Sequence, residues 1–239
     1  MDIASNRVIP SKEEQEVIIK GLLYQSAIER ELEQRGKPEH LSDYILVDQM
    51  LSEINRLGFD FRYLYDIERL LITNKDIVNI ILGYLGRFDN DGITAELVSS
   101  IGYKGNKFAT AGIIEAFNDL VQKPGFRAFL TVFYDNAFNR LKDKRYIDEY
   151  LKWAANPDIA KEMPFTMRML GSWKLPEAKE LFMGYLQPDG ERKLMSSAMG
   201  ALAKYKNDED AKAKIHAMQQ SKNKVISDSA KNLYEKMNK

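Results

Sequence analysis

Hydrophobic residues that recur every 32 residues limit the possible folds of this chain more than any other feature of its sequence. The pattern is clearest in the middle of the chain, where six apolar positions across two helical segments match six others: Ile81, Leu82, Leu85, Leu97, Val98 and Ile101 match Ile113, Ile114, Phe117, Phe129, Leu130 and Phe133. The C-terminal region repeats with the same period, in the pairs Leu170 and Leu202, Ala198 and Ala230, and Ala201 and Leu233. Such spacing predicts stacked helix–turn–helix units, because each unit buries its apolar face only against its neighbours.

Local signals predict helices throughout the chain. Ser11 and Glu14 have the spacing of a capping box, which predicts a helix that ends near Gly36. Further helices are predicted over residues 42–57 and 61–72, and Asn74 is placed to cap the next one. No alternating run bounded by a hairpin turn is found. The sequence therefore predicts an all-α fold.

The repeat also predicts how the chain is divided. It is absent from residues 1–73, which are predicted to be an N-terminal helical cap or extension, and it covers residues 74–239. Within the repeats, residues 142–164 are less regular. Because Pro157 and Pro164 should break short helices there, this stretch is a candidate joint.

The C-terminal repeats resemble a known family. The residues that carry the resemblance are Met169, Leu170, Gly171, Pro176, Glu177, Ala178, Leu181, Asp189, Arg192, Ala198, Ala201, Leu202, Asp210, Ala211 and Ile215. They are similar to the HEAT-like repeats first named from bilin lyases, most clearly over residues 166–237 and more weakly over 74–138. The resemblance implies a right-handed α-solenoid of antiparallel helix pairs, with a concave face formed by the second helix of each pair. It carries almost no information about activity.

Composition excludes several classes of protein. The fractions of hydrophobic and charged residues, 44% and 29%, are those of a globular chain. The chain has no cysteine, which excludes disulfides, thiolate metal sites and thiol nucleophiles. The first ten residues lack the basic and apolar parts of a signal peptide, and no apolar run approaches a membrane span, so a cytoplasmic protein without membrane contact is expected.

No motif in the sequence indicates a metal or a cofactor. In residues 89–92 the glycine comes too early for a calcium loop, so Asp91 is instead predicted to cap a helix. His40 and His216 lie far apart and lack ligand partners at metal-binding spacing, and no glycine-rich phosphate loop is present.

Two stretches favour binding functions. Residues 126–134 are apolar around most of a helix, which predicts a central core helix; alternatively, part of it lines a groove for a partner. The second stretch is a basic cluster followed by aromatic residues that could stack on bases: Arg140, Lys142, Lys144, Arg145, Tyr146, Tyr150 and Trp153. Net charge is −6 over residues 1–139 and +6 over 140–239, which also fits ordinary solvated helix faces.

These features lead to one preferred function and two alternatives. The preferred function is a non-catalytic interaction module, scaffold or regulator that binds another protein or a peptide. The alternatives are a nucleic-acid-binding protein similar to the HEAT-like alkylpurine DNA glycosylases, and a lyase-like enzyme with a deep apolar pocket. The predicted contact residues are exposed positions of second helices: Glu96, Arg127, Thr131, Lys179, Glu180, Lys212 and His216.

Overall fold

The structure is a computed structural model that describes residues 11–69, 74–125, 127–187 and 189–238. In these ranges every regular element is a helix, so the predicted all-α fold is confirmed. No helix of the same ranges is both long and apolar enough to cross a bilayer. The chain forms two compact units, residues 1–70 and 71–239. Whether the first unit caps the second stays a prediction.

Over its described residues, the first unit contains three α-helices: α1 (Lys12–Arg35), α2 (Leu41–Asn55) and α3 (Leu64–Arg69). The predicted capping box of α1 is confirmed, since the Ser11 hydroxyl accepts from the Glu14 amide at 3.2 Å and the Glu14 carboxylate accepts from the Ser11 amide at 2.7 Å. Buried Glu31 of α1 accepts from the Leu64 amide at 3.1 Å, which ties α1 to α3. The helix predicted over 61–72 begins at Leu64, and residues 70–73 lie outside the described residues.

The second unit contains eleven helices in its described residues, and ten of them form pairs. The pairs are α4 (Lys75–Tyr84) with α5 (Asp91–Ile101), α6 (Thr110–Gln122) with α7 (Ala128–Leu141), α8 (Ile147–Ala154) with α10 (Pro164–Trp173), α11 (Pro176–Tyr185) with α12 (Arg192–Leu202), and α13 (Glu209–Ala217) with α14 (Lys224–Met237). The short helix α9 (Pro157–Ala160) is inserted into the third pair.

Helices at the same place in successive pairs pack side by side. The second helices α5, α7, α10, α12 and α14 contact one another in chain order, and we call this set the second-helix layer. The helices α4, α6, α8, α11 and α13 form the first-helix layer, in which α11 contacts both α8 and α13. Because each pair contributes one helix to each layer, the core lies between the layers and along the contacts between pairs.

Side-chain caps and prolines determine where these helices begin. Asn74 caps α4 as predicted, by accepting from the amides of residues 76 and 77. The predicted cap of α5 is wrong: Asn90 accepts from the Gly92 amide at 2.8 Å, whereas Asp91 lies in the first turn. Pro157 and Pro164 do not break helices, because each occupies the first turn of α9 or α10, where no amide hydrogen is needed.

The stretch over residues 142–164 is part of the packed core. Tyr150 and Trp153 of α8 are fully buried, and the Trp153 ring lies 4.8 Å from Phe117 and 4.9 Å from Phe138 between ring centroids. These aromatic contacts join α6, α7 and α8, and no boundary between compact units falls in this stretch. Two buried aromatic side chains therefore anchor this stretch in the core, and a kink or change of register within it stays a prediction.

The 32-residue match is correct for only part of the repeat. Leu170, Leu202, Ala198 and Ala230 are all buried, as their pairing predicts. Phe129, however, is 57% exposed, although its match Leu97 is fully buried. The reason is the register: α5 begins at Asp91 and α7 at Ala128, so these second helices start 37 residues apart instead of 32.

Neighbouring second helices approach one another at positions where only a small residue fits. A Cβ atom added to Gly171 of α10 would overlap the backbone carbonyl of Ala201 in α12. One added to Gly102, at the end of α5, would overlap the side chain of Ala137 in α7. These close approaches fix the spacing of the second-helix layer.

We expect Gly171→Ala to lower the free energy of unfolding by about 2 kcal/mol or more, because α10 and α12 must separate to admit the added methyl group. The matched control is Gly184→Ala in α11, where an added Cβ meets no atom within 4 Å. It should raise stability by about 0.5–1 kcal/mol, since alanine restricts the unfolded chain. Urea denaturation of both variants measures the difference, and equal stabilities would contradict the close approach.

Candidate binding groove

The predicted contact residues do not share one surface. Glu96, Arg127 and Thr131 lie on or just before helices of the second-helix layer, in α5 and at the start of α7. The expectation that all seven lie on second helices is wrong for the rest, because Lys179 and Glu180 lie on α11, and Lys212 and His216 lie on α13. Both helices belong to the first-helix layer, so the seven residues cannot form a single contact face.

Thr131 and Arg127, on the second-helix side, make contacts within the fold. Thr131 is fully buried, and its hydroxyl donates to the Arg127 carbonyl at 3.3 Å, so the expectation that Thr131 is exposed is wrong. Arg127 forms a 2.6 Å ion pair with Asp91, which holds the start of α7 against the start of α5. Glu96 is half-buried.

The two lysines of the first-helix layer also have intramolecular partners. Lys179 lies 2.9 Å from Asp208, the residue that caps α13, so it links α11 to α13. The hydrogen bond to Asp208 raises the pKa of Lys179 above its ordinary value. Lys212 pairs with Glu209 of the same helix at 2.8 Å. Glu180 and His216 are exposed, and the His216 ring lies against Tyr234.

The basic and aromatic cluster does not form a stacking surface. Tyr150 and Trp153 are core residues, and the Trp153 indole donates to the Asn118 side chain at 2.9 Å. Burial raises the pKa of Tyr150. The Arg145 guanidinium is held by the Asp143 carboxylate at 2.6 Å and by the Lys107 carbonyl at 3.0 Å. Two of the three aromatic side chains of the cluster are therefore inaccessible to a nucleic acid base.

A hydrophobic stripe is exposed on α7. Phe129 is 57% exposed, Val132 is 45% exposed, and Phe133 is half-buried with its ring 5.1 Å from that of Phe129. The opposite face of the helix carries buried residues such as Tyr134 and Phe138. The central-core prediction for residues 126–134 is thus correct for one face only, and the partner-groove alternative fits the other. Phe126 lies outside the described residues.

Two adjoining clefts continue this stripe across the second-helix layer. The apolar cleft, about 350 Å³, lies between Val132 of α7 and Val225 of α14, with the side chains of Lys161, Arg192 and Lys193 around it. The polar cleft, about 330 Å³, is lined by Arg168, Ser196, Gly200, Ser229 and Asn232. Both clefts include Pro164, Ser196 and Ser197, so they form one continuous surface, which we call the groove.

The groove carries an excess of positive charge. Four basic side chains line it (Lys161, Arg168, Arg192 and Lys193), against one acidic side chain, Glu162. Glu162 pairs with Lys193 at 2.8 Å, and Lys161 pairs with Asp158 at 2.8 Å. In the part of the chain that the structure describes, Arg168 and Arg192 form no ion pair.

A buried carboxylate positions α10 beside α7. Asp135 of α7 accepts hydrogen bonds from the amides of Phe165 at 2.8 Å and Thr166 at 2.6 Å, at the first turn of α10. It supplies the cap that Met163 cannot, and it thereby places Pro164 and Arg168 in the groove. Burial raises the pKa of Asp135 to about 6, although hydrogen bonds from Thr166 and Phe165 and the positive charge of Arg168 oppose this shift.

Comparisons with protein-family models, curated proteins and solved structures found no match. Within the described ranges, no group of three or more His, Asp or Glu side chains is arranged to hold a metal ion. The chemistry that the groove offers is therefore that of exposed hydrophobic side chains beside arginines. Such a surface suits the binding of a partner's side chains.

We expect Asp135 to make stability fall as the pH rises from about 4 to about 6. Because the folded chain holds this proton more tightly than the unfolded chain, its contribution is present below the unfolded pKa and lost as the pH rises through the folded pKa. The stability lost over this range is roughly 3 kcal/mol, which follows from the difference between the folded pKa of about 6 and the ordinary pKa of 3.8. Denaturant titrations of the protein and of Asp135→Asn across this range isolate the effect, and parallel pH profiles would contradict it.

Proposed function

We propose that this chain is a protein-binding module whose second-helix layer is the binding face. The paired helices and their two layers support a HEAT-like α-solenoid, right-handed as the family resemblance implies. In such a stack the second helices line the concave side, which offers an extended surface without catalytic residues. The groove across α7, α10, α12 and α14 is the part of this face that a partner would occupy.

The observation that carries the proposal is the exposed hydrophobic surface along the groove. Phe129, Val132 and Val225 are each between 45% and 57% exposed, and two of them face the same cleft from helices three pairs apart in the chain order. Aromatic and aliphatic side chains of this kind are the usual anchors of protein interfaces. Exposed hydrophobic residues that line one continuous groove indicate binding more strongly than isolated ones do.

The two alternative functions have less support from the site. A nucleic-acid-binding site of the glycosylase kind needs accessible aromatic residues, whereas Tyr150 and Trp153 are buried. A lyase-like enzyme needs a deep pocket that encloses its substrate, whereas the two clefts lie at the low end of the size range of ligand pockets. Both features favour contact with the side chains of another protein.

We expect the double variant Phe129→Ala, Val132→Ala to lose its binding partner. Affinity co-purification from the cytosol of the source organism, with and without nuclease, should recover one protein at near-stoichiometric amounts with the unchanged chain. Because truncation of two exposed hydrophobic anchors on α7 costs at least about 2 kcal/mol, recovery with the double variant should fall about thirtyfold. Both side chains are largely exposed, so the thermal midpoint of the variant should change little.

The matched control is Lys212→Glu on the first-helix layer. Within the described residues its side chain pairs with Glu209 of the same helix, so its charge reversal should leave partner recovery unchanged. Loss of the partner in this control, with retention in the double variant, would place the binding face on the opposite layer. Loss of all recovered protein after nuclease treatment would favour the nucleic-acid alternative.

A further inference from the structure

The side chain of Arg168 is held in place with part of its guanidinium unused. Its aliphatic part lies in van der Waals contact with Gly200 of α12, and its guanidinium lies 4.9 Å from the centre of the Phe165 ring. Its Nε atom donates to the Pro164 carbonyl at 3.2 Å. The two terminal amino groups form no hydrogen bond with any residue that the structure describes. This geometry leaves them available for a bidentate contact with an anion.

Polar side chains line the same cleft as this guanidinium. Ser196, Ser229 and Asn232 line the same cleft, and the side chains of these three residues form no hydrogen bond within the described ranges. Two hydroxyls and an amide beside an arginine provide further donors to one anionic group. The polar cleft therefore matches a carboxylate, which accepts up to four hydrogen bonds.

A second arginine lies beside the apolar cleft. Arg192 is the first residue of α12, is exposed, and lines the cleft between Val132 and Val225. A bound segment that places a large hydrophobic side chain between these two valines would bring its neighbouring residues close to Arg192 on one side and to the polar cleft on the other. Since the two clefts adjoin, one short segment can occupy both.

We propose that the groove binds an acidic peptide segment of a partner protein, with one carboxylate on Arg168, a second near Arg192 and a large hydrophobic side chain between Val132 and Val225. This inference rests on the proposed function and adds the chemistry of the partner. Charge complementarity carries it, because the two arginines, which form no ion pair with any described residue, flank a hydrophobic cleft.

The charges in the groove favour a peptide over a nucleic acid. A phosphate backbone needs an uninterrupted row of cations. Here Glu162 lies within the groove, and Asp158 neutralises Lys161 at its edge, so a row of phosphates would meet two carboxylates. Two separated arginines with a hydrophobic cleft between them match an acidic segment with a hydrophobic anchor.

The test is selection of displayed random peptides of about 12 residues against the full-length protein. Enriched peptides should carry Asp or Glu beside an aromatic or aliphatic residue. A fluorescein-labelled peptide from this set should bind Arg168→Gln and Arg192→Gln each about fivefold or more weakly, as expected for loss of a charge-assisted hydrogen bond. The control Lys152→Gln removes a cation that is 70% exposed on α8, and it should bind unchanged.

A double-mutant cycle separates direct contact from altered folding. If Arg168 contacts a peptide carboxylate, replacement of the peptide Glu by Gln should weaken binding to the unchanged protein and have little further effect on Arg168→Gln. Arg192→Gln repeats the test at a side chain that makes no ion pair or hydrogen bond within the described part of the chain. Additive effects at both arginines would overturn the inference.

The remaining outcomes distinguish this inference from the proposed function. If the peptides bind both arginine variants normally but do not bind the Phe129→Ala, Val132→Ala variant, the proposal of an acidic partner is wrong and the proposed binding face stands. Peptides that bind all of these variants equally, or a selection that enriches none, would count against both. Displacement of the peptide by an oligothymidylate at equal concentration would overturn the acidic partner in favour of a nucleic acid.

Discussion

The close approach of neighbouring second helices is the constraint on which the second unit depends. Gly171 lies against the Ala201 backbone, and Gly102 lies against Ala137, so these helices pack with almost no side chain between them. Larger residues would separate the helices and widen every space along the layer. Because the layer is this tight, residues from α7 and α14 reach the same cleft although two pairs lie between them in chain order.

The irregular third pair is where this packing needs further support. The inserted helix α9 lengthens the connection between α8 and α10, so the position of α10 does not follow from a regular repeat. Asp135 holds the first turn of α10 to α7, and the aromatic cluster around Trp153 joins α8 to α6 and α7. A buried carboxylate is expensive to desolvate, yet here it satisfies two backbone amides that would otherwise lack partners.

The groove follows from these two features. Tight packing of α10 against α12 aligns Arg168 with Gly200, and the Asp135 contact places Pro164 between the two clefts. The exposed hydrophobic residues and the two arginines of the groove come from four different helices, so no single segment of sequence contains the candidate site. By contrast, charged residues such as Lys179 and Arg127, which look available in the sequence, form ion pairs within the fold.

The sequence by itself determined the helical class, the helix starts at Ser11 and Asn74 and the burial of Leu170 and Leu202, since capping and helical periodicity depend on nearby residues. The tertiary structure decided that Lys179 lies on a first helix, that Phe129 is exposed and that Trp153 lies in the core. Each depends on connection lengths and on contacts between residues distant in the chain, which a local pattern does not encode. The groove belongs to this second group, because its arginines and valines meet only after α7, α10, α12 and α14 have packed.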